Sequence, residues 1–290
     1  MTALAYTAPA SIEEAVRALA GASGLAKVLS GGTDLLVQLR SGRAKPSLIV
    51  DTKNIPGIAG IREENGSFSI GAATPGAAIG EHDRLGHAWP GVVEAANLIG
   101  STQIQGRASL AGNLCNASPA ADSVPALIAA RATCVIVGSK GKREAPVETI
   151  CTGPGRTSLA RDEFIVEFRL PPRPARSADA YLRFIPRTEM DIAVVGAAVN
   201  ITRDATGVIT DARVVLGAVA PTAVLVPGAA AALIGRKLDD TALAGLDKAA
   251  RAACRPISDK RGTIEYRIKV AGVMVRRAAN IAYARAGERQ

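Results

Sequence analysis

The sequence predicts an α+β chain built in two parts. Three observations carry this. About the first fifty residues alternate strand-like and helix-like patterns at short spacing. From Ile61 the pattern turns to short strands of alternating polarity. Beyond the stiff run Pro171-Pro172-Arg173-Pro174, strand-like runs about a hairpin turn give way to helical periodicity. The expected ranges are 1–172, divided near 1–55 and 56–172, then 177–290. The last is expected to be a three-stranded antiparallel sheet with a helix bundle.

Each element has a local cause. Ser11-Ile-Glu-Glu14 is a capping box, and Ile12, Val16 and Leu19 line one face of the helix it opens. Residues 26–29 are a mostly apolar strand. Gly31-Gly32 makes a tight turn after it, and Thr33 is the candidate N-cap of a helix over 34–40. Gly42 can end that helix, with Arg40 and Arg43 at its negative end. A strand over 47–51 completes a βαβ unit. Residues 67–70 alternate as a strand, 92–99 read as a helix, and 109–122 read as a loop. Ser118-Pro119 looks like N-cap and N1 of a helix leaving that loop. Residues 133–137 form a buried strand, turned at Gly138-Ser-Lys-Gly141. In the last part, 192–202 and 208–217 are strands about Asp204-Ala-Thr-Gly207, and 229–234 and 241–253 are helices. Ile264, Ile268, Ala271, Val275, Ala278 and Ala282 mark one face of a long terminal helix.

Composition narrows the function. Of 290 residues, 48% are hydrophobic, so the chain is globular, but only 3% are aromatic. A protein that stacks nucleic-acid bases needs aromatic platforms, so nucleic acid is not an expected partner. Lys and Arg number 35 against 26 Asp and Glu, a formal charge of +9. The positives are scattered, with short clusters at 140–143 and 276–277, and read as solvated faces before an acidic partner subunit. The four cysteines, at 115, 134, 151 and 254, form no C-x-x-C pair, which supports neither a zinc knuckle nor an iron–sulfur site. His82 and His87 have no catalytic motif around them and read as surface residues. No leader pattern stands at Met1–Tyr6 and no apolar run has spanning length, so a cytoplasmic protein without a membrane span is expected.

Two stretches concentrate chemistry. Leu29-Ser-Gly-Gly-Thr-Asp-Leu35 places glycines between a strand and a helix start, a common way to cradle phosphate. It is neither a Walker loop nor G-x-G-x-x-G. Ser109-Leu-Ala-Gly-Asn113 leads on to Ser118-Pro-Ala-Ala-Asp122, with small residues and side-chain amide or acid groups in one run. With Asp162-Glu-Phe-Ile-Val-Glu-Phe-Arg-Leu-Pro171 and Arg187-Thr-Glu-Met-Asp-Ile-Ala193, these stretches resemble, in order, the FAD-binding medium subunit of the molybdenum hydroxylases. That group includes xanthine dehydrogenase, aerobic carbon monoxide dehydrogenase and 4-hydroxybenzoyl-CoA reductase. The resemblance runs from Tyr6 to about Ala284.

The resemblance implies an N-terminal FAD-binding domain of the vanillyl-alcohol-oxidase type and one non-covalent FAD. Leu29, Ser30, Gly31, Gly32, Thr33, Asp34 and Leu35 are expected at the pyrophosphate. Ser109, Leu110, Ala111, Gly112 and Asn113 are expected on its other side, with Asp122 on ribityl or ribose hydroxyls. A Cβ at Gly32 is expected to fill ligand space. Ile165 is expected near flavin or adenine and Ile99 near the isoalloxazine, with core packing the alternative for both. Arg183 stands where relatives carry Lys, near the flavin. Some relatives hold a further iron–sulfur cluster in this subunit; its cysteines are missing here. The implied partners are a small subunit with two [2Fe–2S] clusters and a large subunit with the molybdenum cofactor, in a dimer of heterotrimers. The chain would relay electrons from the clusters to NAD+, a quinone, a carrier protein or oxygen. The alternatives are a stand-alone FAD-dependent oxidoreductase and a structural subunit with a decayed flavin site.

Overall fold

The computed structural model describes residues 4–289. Met1–Ala3 and Gln290 lie outside it, and with them the outer ends of the expected ranges and the start of the stretch read for a leader. The N-terminal unit is β1 (Ala5–Thr7), α1 (Ile12–Ala20), β2 (Ala26–Leu29), α2 (Leu35–Arg40) and β3 (Leu48–Asp51). Its three strands are parallel in the order β1-β3-β2. Ser11 caps α1 by accepting from Glu14 N at 3.2 Å, while Glu14 reaches back to Ala10 N at 2.8 Å. The helix after the glycine turn begins at Leu35, not at Asp34. Its boundary residue is Asp34, already helical and making no side-chain cap bond, so Thr33 is not the N-cap. The turn instead closes by Leu36 N donating to Gly32 O at 3.0 Å.

A second sheet follows: β4 (Ile61–Glu64), β5 (Ser67–Gly71), β6 (Thr133–Gly138), β7 (Gly141–Pro146) and, after the small hairpin β8 (Cys151–Gly153) and β9 (Arg156–Thr157), β10 (Phe164–Leu170). Its order is β4-β5-β10-β6-β7, and every neighbour pair is antiparallel. The central β10 carries a register shift between Ile165 and Glu167. The bulge falls at Val166, after Phe164 and Ile165, which pair in register with Val137 and Ile136 and are both buried.

Between β5 and β6 run six short helices: α3 (Gly76–Gly80), α4 (Asp83–Ala88), α5 (Pro90–Ala96), α6 (Thr102–Gln105), α7 (Leu110–Cys115) and α8 (Ser123–Ala129). Residues 109–122 are thus not one loop. Ser109 caps α7 by accepting from Gly112 N at 3.2 Å. Ser118-Pro119 starts no helix. Ser118 Oγ accepts from Ala120 N at 3.3 Å in a turn, and Pro119 O accepts from Ala218 N at 2.8 Å, so the turn is held by the following sheet. The helix begins five residues later, at Ser123.

The last part comprises β11 (Ser177–Phe184), β12 (Val195–Arg203), β13 (Ile209–Gly217), β14 (Val224–Leu225), α9 (Pro227–Ala231), α10 (Asp240–Ala253) and α11 (Ile264–Glu288). Three long antiparallel strands are joined by the two-residue edge strand β14, a fourth that sequence patterning did not register. β12 starts at Val195, not at Ile192, which is exposed. In the β12–β13 turn, Asp204 Oδ1 accepts from Thr206 N and Val208 N.

This sheet is covered on both faces. α11 and α9 pack on one, with α10 against both helices and Ala180, Val199 and Val214 pointing into that core. α5 and α8 pack on the other, where Tyr181, Ala198 and Val215 join the N-terminal core. Burial on both faces explains the almost unbroken apolar run of β12. α11, about 37 Å long by its 25 residues, presents Ala271, Gly272, Ala278, Ala279 and Ala282, small enough for close approach. Near its end Arg285 bonds Glu94 and Asp179 O, and Arg289 donates to the carbonyls of His87, Ala88 and Ser177.

Candidate functional site

The two glycine-bearing stretches meet. Ser30 Oγ and Ser109 Oγ lie 2.8 Å apart, and Ser30 Oγ also donates to Ala72 O at 3.3 Å. Gly31 is the point of closest approach: a Cβ there would sit 2.0 Å from Arg107 O and 2.8 Å from its carbonyl carbon. Backbone runs against backbone, so no side chain can yield. Gly32 takes φ +82°. Among the described residues, the backbone N–H groups of 31–35 donate to no acceptor in the chain. Unpaired donors on a glycine turn suit a bound anion. Lys53 adds positive charge here, its Nζ 3.3 Å from Ser30 O and 2.7 Å from Asp51. Asp34, exposed at the mouth, has its carboxyl raised by desolvation.

A Cβ on Gly32 would point into protein, not ligand space: 3.0 Å from Leu29 Cδ1 and 3.4 Å from Leu36 Cδ1. The steric reason expected for this glycine is therefore replaced by a conformational one. Gly32→Val places a β-branched residue in left-handed backbone, at about 1–3 kcal/mol. The apo variant should melt below the parent, and FAD titration should show weaker binding as the turn re-forms. An unchanged melting temperature would sink this.

The second half of the site is built on the far side of α7. Asn113 Oδ1 accepts from Ser123 N at 3.1 Å and Ser123 Oγ at 2.7 Å, which docks α7 on α8. Asp122 immediately precedes α8 and is 8% exposed. Its Oδ2 accepts from Arg183 Nη1 at 2.9 Å and its Oδ1 from Tyr181 Oη at 3.2 Å. The same Arg183 nitrogen donates to Leu98 O at 2.6 Å, which fixes the backbone next to Ile99. Burial raises the Asp122 carboxyl to about 6, against the opposing pull of the Arg183 charge and of hydrogen bonds from Arg183 and Tyr181.

The expected residues therefore form two linked groups. Leu29–Leu35 and Ser109–Asn113 make the cradle; Asp122, Arg183 and Ile99 adjoin one another beyond α7. Ile165 is connected through Val166 O, which accepts from Ala72 N at 3.0 Å beneath Ser30. Ile165 and Ile99 are 4% and 9% exposed, so most of each side chain is already packed by protein. Arg107, Lys53 and Tyr181 were not singled out from sequence; Asn116, one of the amide groups noted in the 109–122 stretch, accepts from Gln38 Nε2 at 2.9 Å. The His82 imidazole caps α4, accepting from Leu85 N at 3.1 Å, a structural role.

A glycine turn with unpaired N–H groups, clamped to a serine-capped helix and adjoining a buried carboxylate–guanidinium pair, is a backbone arrangement suited to a phosphate-bearing cofactor. Residues 2–173 match the family described as the FAD binding domain in molybdopterin dehydrogenase, and residues 180–282 the CO dehydrogenase flavoprotein C-terminal domain. The chain belongs to this family of molybdenum-dependent dehydrogenase flavoprotein subunits. It is 34% identical over 280 residues to the carbon monoxide dehydrogenase medium chain of Hydrogenophaga pseudoflava, covering 97% of each. It is 31% identical over 284 residues to a putative xanthine dehydrogenase FAD-binding subunit of Escherichia coli K12, again 97% of each. A solved carbon monoxide dehydrogenase from H. pseudoflava, which lacks the Mo-pyranopterin moiety, superposes with TM-score 0.93 at 35% identity, covering 97% of this chain and 98% of that one. Quinoline 2-oxidoreductase from Pseudomonas putida 86 superposes with TM-score 0.90 at 26% identity, over 98% of both chains.

Proposed function

We propose that the chain is the FAD-carrying electron-transfer subunit of a multi-subunit molybdenum hydroxylase. In this reading it receives electrons from [2Fe–2S] clusters on a small subunit and passes them to a terminal acceptor. The observation that carries it is the closure of Gly31 on Arg107, which leaves the N–H groups of residues 31–35 free for a pyrophosphate. FAD, when bound, supplies the step between one-electron clusters and a two-electron acceptor. The chain's own residues do the rest. The turn and the Ser109–Asn113 helix start hold the phosphates. Asp122 accepts from sugar or ribityl hydroxyls, and Arg183 holds positive charge beside the flavin end, close to Ile99. Residues about 1–172 act as the FAD-binding domain and 177–290 as the C-terminal domain.

The large partner would bind the molybdenum cofactor and the organic substrate, in a cytoplasmic dimer of heterotrimers. Among the described residues no helix is long and apolar enough to cross a membrane, and no group of side chains could hold a metal ion.

Co-expression with candidate iron–sulfur and molybdenum subunits, followed by size exclusion, should give one yellow-brown complex. Acid precipitation should release its FAD into solution. A flavin that stays with the pellet would contradict non-covalent binding. A flavin-loaded monomer that oxidises an organic substrate unaided would replace this function with that of a stand-alone oxidoreductase.

A further inference from the structure

We infer that Tyr181, on the sheet that follows the cradle, is a positioning residue for the flavin site: its buried hydroxyl orients the Asp122 carboxylate and holds it charged for hydroxyl groups of the dinucleotide. The inference rests on the FAD reading above and adds to it a residue that touches no cofactor atom.

The geometry singles out this tyrosine. Its side chain is 2% exposed and leaves the β11 strand toward α5 and α8, while its neighbour Ala180 points to the opposite core. The phenol oxygen lies 3.2 Å from Asp122 Oδ1. Gly196 on the paired strand makes room for it, since a Cβ there would sit 2.7 Å from Tyr181 Oη. The backbone is fixed as well: Tyr181 N donates to Glu94 Oε2 at 2.9 Å. Burial and the adjacent Asp122 charge raise the phenol well above its usual range, so it remains a donor. Arg183, two residues on, takes the other carboxylate oxygen at 2.9 Å. One strand thus supplies both groups that aim Asp122.

The charges around Asp122 are few. β11 offers Tyr181 and Arg183. From α5, Glu94 faces the backbone of Tyr181 and is paired with Arg285 of α11. α7 contributes Asn113, whose oxygen is engaged by Ser123. β12 and β13 contribute Ala198 and Val215, which do not titrate. The Asp122 carboxyl, raised by burial to about 6, is pulled down by Arg183 and by Tyr181. Deleting the phenol oxygen removes one of those downward pulls, so the carboxyl must titrate at higher pH. Protonated, it loses an acceptor site for ligand hydroxyls.

The test uses the full chain, refolded or exchanged free of flavin, with FAD as the probe. FAD affinity is measured from pH 5 to 8 by flavin fluorescence for the parent, Tyr181→Phe and Asp122→Asn, with circular dichroism of each apo protein. The Asp122 carboxyl is followed separately in the apo chains by carbon-13 NMR. The parent affinity should fall as pH drops through about 6. In Tyr181→Phe the fall and the NMR midpoint should both move up by about half to one pH unit, with affinity near neutral pH reduced by up to about twofold and affinity at about pH 6 and below reduced further. Asp122→Asn should bind more weakly with a flat profile. A parent that binds FAD while Tyr181→Phe keeps the parent's affinity and midpoint overturns the role of Tyr181 alone. A profile in Asp122→Asn that still breaks near pH 6 does the same. A parent that binds no FAD at any pH overturns the flavin reading and this inference together.

Discussion

Gly31→Ala is expected to lower FAD affinity by at least about tenfold, the loss of one or two charge-assisted hydrogen bonds at about 1.5–3 kcal/mol each. The added methyl carbon would stand 2.0 Å from the Arg107 carbonyl oxygen. A contact of that kind cannot be absorbed by a rotamer change, because both partners are backbone. The strand-to-helix turn must back away from the segment leading into α7. The Ser30–Ser109 bond at 2.8 Å is then lost or stretched, and the free N–H groups of residues 31–35 no longer converge. Forced overpacking adds about 1–3 kcal/mol of destabilisation. Gly86 is the matched control, since it lies inside α4 with open space around its Cα. Gly86→Ala should leave FAD binding alone and raise stability slightly, by about 0.5–1 kcal/mol. Fluorescence titration and thermal melts of both variants decide the matter. If Gly31→Ala binds FAD like the parent, close approach of the two stretches does not shape the site.

Breaking the buried pair Arg173–Asp179 should produce the largest loss of stability. The guanidinium lies 2.6 Å from Asp179 Oδ1, donates to Asn200 Oδ1 at 3.1 Å and to Ser177 Oγ at 3.2 Å, and stands 3.6 Å above the Trp89 ring. The two side chains are 8% and 2% exposed. Burial drags the arginine down to about 10 and pushes the aspartate up, each against the attraction of its partner. Asp179→Ala leaves the cation buried without its counter-charge, which costs about 3–5 kcal/mol. The double change Arg173→Met with Asp179→Leu removes both charges and should recover most of that loss. Urea unfolding of the parent, the single variant and the double variant makes the comparison. A single substitution costing less than about 1 kcal/mol would mean that water reaches the pair.

These residues also mark where the sequence stopped being informative. The glycine turn was legible because strand, double glycine and helix start are contiguous, so their meaning is local. What Gly31 touches was not legible: Arg107 lies far along the chain, and nothing about an arginine advertises its carbonyl. Ser118-Pro119 was misread as a helix start because an N-cap pattern also suits a turn, and a bond from Ala218 decides between them. The short α7 escaped because six residues with a glycine carry little periodicity. Pro171-Pro172-Arg173-Pro174 was read as a stiff run, and its arginine gave no sign of being a buried anchor. Tyr181 lay in a stretch to which sequence patterning assigned no strand, although β11 runs through it. β14, two residues long, is below the length at which alternation can be detected.

The contacts of Arg285 and Arg289 have a consequence for how the protein is made. They fasten α11 to Glu94 and to the carbonyls of residues 87 and 88, positions some two hundred residues earlier in the chain. At ribosomal rates of about 5–20 residues per second, the α4–α5 corner waits roughly 10–40 s for these fastenings. For the first part of that interval α5, with Val92 and Ala96, also lacks β11, the strand that later packs on it. The nascent polypeptide therefore exposes an apolar shelf for part of its synthesis, and it is this stretch that a ribosome-associated chaperone would be called on to shield.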